Sequence, residues 1–117
     1  MDNFTLFKAG YIEALYFTDT GEGDQPDPDA KLSPEAMARI SKRCACFWQH
    51  CGSDVLKETT QTIEQAGRDF WFTSQCHGTG FWDGNWPTQG DELTRVCEKF
   101  FKPMDTYIGD NGQIYLF

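Results

Sequence analysis

His77 and Asp83 are the residues best placed by type to do chemistry. An imidazole held by a carboxylate can move a proton, with Asp69 or Asp83 as its orienting partner. They sit in the stretch Asp69-Phe70-Trp71-Phe72-Thr73-Ser74-Gln75-Cys76-His77-Gly78-Thr79-Gly80-Phe81-Trp82-Asp83-Gly84-Asn85-Trp86. Asn85 and Trp86 close it with a hydrogen-bonding amide and a ring that could stack on a sugar or a peptide. A structural reading stands beside the chemical one: His77 closes a turn, the rings form core, and a lone His–Asp pair belongs to ordinary hydrogen-bond networks. The structural reading is the favoured one.

Two further sets of residues suggest ligands. Cys46 and His50 are four apart, so they share one face of a helix, and with Cys76 and His77 they make a Cys/His set of four. No C-x-x-C spacing supports it, and the neighbours Cys76 and His77 leave the backbone in different directions, so neither metal nor other cofactor is expected. Asp24, Asp27 and Asp29 lie in an acidic run over 19–31 that could meet a cation or a basic partner. Its spacing does not fit a calcium loop, and Gly21, Gly23, Pro26 and Pro28 mark it as a loop.

Charge narrows the partners. Ten basic residues against 18 acidic ones give a net charge of −8. Such a surface repels phosphate backbones, and no Lys or Arg lies between Asp69 and Thr94, so direct nucleic-acid binding is not expected. A protein partner with a basic surface fits better. No run of 18 apolar residues is present, so no membrane span is expected. The start Met1-Asp2-Asn3 lacks the basic region of a secretory leader, and the five cysteines are odd in number. Reduced thiols in a cytoplasm are the expectation.

The elements that must position these residues are four helices and a hairpin. Phe4, Phe7, Tyr11 and Leu15 recur at helical spacing over 3–18. Ser33-Pro34-Glu35 caps and opens a second helix, whose core stripe is Met37, Ile40, Cys44, Phe47 and Cys51 and whose end is set at Gly52. Thr62 and Gln65 fit a capping box for a third helix, running to about Cys76. A strand over 70–73 is its rival, because Phe72 points away from the Ile63 face. Gly90-Asp91 starts a fourth helix, with Leu93, Val96, Cys97, Phe100 and Phe101 facing the core and Pro103 as its stop. Asn111-Gly112 marks a two-residue hairpin turn that sets Ile108 opposite Tyr115 and Tyr107 opposite Leu116. The sum is an α+β fold of about four helices and a C-terminal β-hairpin in one compact domain over 1–117. Within it, Gly78 and Gly80 are expected to fold the chain back. That brings Phe70 and Trp71 against Phe81 and Trp82, with all four rings mostly buried.

Asp69-Phe70-Trp71-Phe72-Thr73 followed by His77-Gly78-Thr79-Gly80-Phe81-Trp82-Asp83 resembles small uncharacterised proteins of tailed bacteriophages and prophages. Their shared run reads roughly D-F-W-x-T-x-x-x-H-G-x-G-F-W-D. Gly90-Asp91-Glu92-Leu93-Thr94 and the closing stretch from Tyr107 to Tyr115 look similar too, so the likeness covers about residues 64–117. The chain departs from it at Gly84-Asn85-Trp86, where a basic residue is expected. The resemblance implies a phage protein in a bacterial cytoplasm, an accessory factor that binds and modulates or inhibits a host protein, with restriction and CRISPR systems among the targets of such factors. The competing expectation is a small enzyme or ligand-binding module centred on His77 and Asp83.

Overall fold

The computed structural model describes residues 2–17, 30–57, 61–75, 80–81, 86–104 and 106–116. Its elements are α1 (Asn3–Phe17), α2 (Pro34–Lys57), α3 (Ile63–Ser74), α4 (Gly90–Phe100), β1 (Thr106–Ile108) and β2 (Ile114–Leu116). The helices and the antiparallel hairpin form one α+β domain. Its Cα radius of gyration is 13.8 Å, against roughly 13 Å expected for a compact chain of this length.

Local hydrogen bonding starts each of the first three helices. The Asp2 carboxylate accepts from the Thr5 amide at 2.7 Å and caps α1. The Ser33 hydroxyl accepts from the Ala36 amide at 3.0 Å and caps α2, with Pro34 at its first position. Thr62 accepts from the Gln65 amide at 3.0 Å and caps α3. The Gln65 side chain does not return to Thr62 as a full capping box requires; it donates to Asp69 and accepts from Arg68. Phe70–Thr73 is helical and Phe72 packs at the edge of the core, so the strand alternative does not occur.

Helix α2 continues past Gly52 to Lys57. The Trp48 ring covers Gly52, and Val55 reaches the core one turn later, so the burial gained offsets the glycine. The buried stripe of α2 is Ala36, Ile40, Cys44, Phe47, Cys51 and Val55, while Met37 lies on the rim of that face and is exposed.

The closest packing is between α1 and α3. A Cβ on Gly10 would land on the Glu64 carbonyl oxygen, and one on Gly67 on the Phe7 carbonyl oxygen. The two backbones therefore touch, which only glycine permits at both positions. Around this crossing the core is aromatic. Phe47 and Phe70 stack with centroids 4.3 Å apart, Phe7 stacks on Phe47 at 5.4 Å, and Tyr11 meets Trp71 edge-on at 5.3 Å.

The hairpin register differs by one from the two-residue turn. Thr106 pairs with Leu116, Tyr107 with Tyr115 and Ile108 with Ile114. The Gly109 amide donates to Gln113, and the Gly112 amide donates to Gly109, leaving Asp110-Asn111-Gly112 as a three-residue loop. Gly112 takes the positive φ of 79° that such a loop needs at its last residue. A lone hairpin is marginal in water. This one gains a further pairing: Leu32 forms a parallel bridge with Ile114, with Ser33 donating to Ile114 and Ile114 donating to Lys31. Ile114 and Leu116 are buried beneath it.

Candidate binding face between α2 and α4

The described part of the central stretch is core. Phe70, Trp71 and Phe81 are buried as expected, while among the described residues the ring neighbours of Phe81 are Phe47 and Trp86. Gly80 has a positive φ of 153°, and a Cβ there would strike the Thr73 hydroxyl, which accepts from the Phe81 amide at 3.0 Å. That contact folds Phe81 back over α3 and stacks it 5.8 Å from Phe47. Trp86 follows: its ring packs edge-on to Phe81 at 5.3 Å, and its indole N–H donates to Asp69 at 2.7 Å. Trp86 is thus buried and engaged, not presenting its ring to a ligand as a binding residue would. His77, Asp83, Asn85, Cys76, Gly78, Trp82 and the acids Asp24, Asp27 and Asp29 lie outside the described residues.

Cys46 and His50 do share a face of α2, and that face forms one wall of a groove. Cys51 and Asp54 continue the wall, and Glu92, Val96, Phe100 and Phe101 from α4 and its end form the other, enclosing about 490 Å³. Among the described residues, no cluster of three or more His, Cys, Asp or Glu side chains is arranged to hold a metal. Burial pushes the Cys51 thiol up to about 11, and the carboxylates of Asp54 and Glu92 push it the same way. A thiol so held is protonated at neutral pH and is a poor nucleophile or ligand. The groove has an apolar floor, and the Asp54 and Glu92 carboxylates at its rim pair with Lys57 and Arg95.

Beyond Phe100 a second, shallower groove of about 570 Å³ opens, lined by Arg39, Lys42, Arg43, Cys46, Phe100, Phe101, Lys102, Pro103 and Met104. Two side chains fix its far wall. Gln75 grips the backbone of Met104 at both ends, its Nε2 donating to the carbonyl at 2.5 Å and its Oε1 accepting from the amide at 2.8 Å. Arg43 donates from Nη2 to the Lys102 carbonyl at 2.6 Å while its guanidinium lies 5.4 Å from the centre of the Phe101 ring. Phe100 forms the ridge between the two grooves and is 66% exposed, although helical spacing assigns it to the core face of α4. Leu93, Cys97 and Phe101 take that face instead.

The sequence reading missed this face. The i, i+3, i+4 spacing of Arg39, Lys42 and Arg43 on one helix was the available signal. Nothing local to either segment says that Phe100 and Lys102 converge on them.

Comparison with family profiles, with curated proteins and with solved structures finds no match to this chain.

Proposed function

We propose that this chain is a binding protein, and that it docks a partner protein on the face between α2 and α4. The observation that carries this reading is Phe100. A phenylalanine 66% exposed on a ridge between two grooves is an anchor awaiting a pocket. Aromatic anchors surrounded by charged rims dominate protein interfaces. The phage resemblance at residues 69–83 supplies the setting. In that setting the partner is a protein of the bacterial host, met in its cytoplasm, and binding modulates or inhibits it, as an anti-restriction or anti-CRISPR factor would. Net −8 favours long-range approach to a target that is basic overall.

The test is affinity purification from bacterial lysate with the parent and with Phe100→Ser. The expected result is a stoichiometric partner that the variant loses while its urea midpoint stays at the parent value. A partner recovered equally by both forms would place the contact elsewhere.

A further inference from the structure

We infer that the groove lined by Arg39, Lys42, Arg43 and Lys102 takes an acidic peptide segment of the partner, with an apolar side chain seated against Phe100 and Met104. The inference rests on the docking reading of the α2–α4 face and names the chemistry of what docks there.

Distribution of charge carries it. The chain is net −8, yet among the described residues the lining of this groove holds four cationic side chains and no acid. Lys99 lies 5.3 Å from the centre of the Phe100 ring, so five of the ten basic residues surround one exposed aromatic. Arg39, Lys42 and Lys102 form no ion pair among the described residues; the pairs present are Lys57–Asp54, Arg68–Glu13 and Arg95–Glu92. Among the described residues these three charges therefore have no carboxylate partner, and all three line one groove. Carboxylates of a bound segment would pair with them through charge-assisted hydrogen bonds.

The groove is also pre-shaped. Its Lys102–Met104 wall is held through backbone atoms by Arg43 and Gln75, so binding orders little that is not already fixed. The basic patch is short. Outside it the chain carries five basic residues against 18 acidic ones. A long polyanion running past the patch would meet that net-negative surface, whereas a short acidic segment feels mainly its near neighbours, since salt screens charge beyond about 8–10 Å. An acidic peptide is therefore favoured over nucleic acid.

The test uses the full chain and labelled probes read by fluorescence anisotropy. The probes are a peptide of glutamates around a central leucine, its glutamine counterpart, and an oligothymidylate. The variants are Phe100→Ser and the double variant Arg39→Glu/Lys42→Glu, whose side chains are exposed and whose urea midpoint serves as the folding control. The expected result is saturable binding of the glutamate peptide, weakened about tenfold or more by either variant, by added salt and by the glutamine exchange. Three results overturn the inference: no binding of the glutamate peptide, binding that the double variant retains, or tighter binding of oligothymidylate that the double variant loses. The first two leave the docking reading standing if Phe100→Ser still loses the lysate partner. If the glutamate peptide binds as expected but Phe100→Ser keeps the lysate partner, the docking reading fails on its own.

Discussion

The Trp86 indole donates to the Asp69 carboxylate at 2.7 Å, and both residues are buried. This bond ties the entry to α4 to the middle of α3. Gln65 supplies a second donor to the same carboxylate at 3.2 Å. Trp86→Phe keeps most of the ring and removes the donor. It is expected to lower stability by about 1.5–3 kcal/mol, the range for a hydrogen bond to a charged group. Asp69→Leu, which removes the acceptor from Trp86 and Gln65 together, is expected to cost at least as much. Urea unfolding at neutral pH measures both.

Gly67→Ala is expected to destabilise by about 3 kcal/mol or more, because the added methyl meets backbone atoms of α1 that cannot rotate aside. Gly10→Ala should behave alike. Gly52→Ala is the control. Its methyl meets the Trp48 ring at 3.0 Å, and a side chain can tilt. The helix gains about 1 kcal/mol from losing a glycine, so this variant should stay within about 1 kcal/mol of the parent. If all three melt alike, the close crossing of α1 and α3 is not the cause.

Gly80→Ala tests the fold-back. Its φ of 153° lies in the region that favours glycine, and its methyl would displace the Thr73 hydroxyl from the Phe81 amide. A loss of about 1–3 kcal/mol is expected. Near-ultraviolet circular dichroism should change with it, because Phe81 and Trp86 share the seat.

Stability should fall on the alkaline side. Burial raises Cys51 from the ordinary 9.0 to about 11 and Cys44 to about 12, and raises Cys97 and the Tyr11 phenol as well. A raised pKa means that the native state holds the proton more tightly, so unfolded chain loses it first. The stabilising contribution is full below pH 9.0 and is lost as pH climbs through the raised values. Melting temperature measured from pH 7 upward should be level at first and then decline. In a Cys76→Ala background a thiol reagent at neutral pH should label Cys46, which is exposed, and reach Cys44, Cys51 and Cys97 only on unfolding.

Caps were legible in the sequence because their chemistry is local: Ser33 and Thr62 bind amides three residues on. The ring-rich core was legible because Phe7, Tyr11, Phe47 and Phe70 leave water wherever the helices meet. Gly10 and Gly67 were illegible as a pair, since each is an ordinary helix weakness until its partner helix arrives. Asn111-Gly112 suggested a two-residue turn, but pairing of Gly109 with Gln113 decided the register. Phe100 obeyed helical spacing and still faces out, because Phe101 fills the space beside Phe47 and Phe70.

The bridge between Leu32 and Ile114 joins two positions separated by most of the chain. Its formation closes a loop containing α2, α3, α4 and β1, at an entropic cost that grows with loop length. Contacts of such long sequence separation slow folding. They also couple the ends: the amides of Ser33 and Ile114, which bond across the bridge, should exchange with deuterium at the rate set by global unfolding. β2 is thereby a clasp on the segment that leads into α2, and opening it requires giving up contacts made from both sides of that long loop.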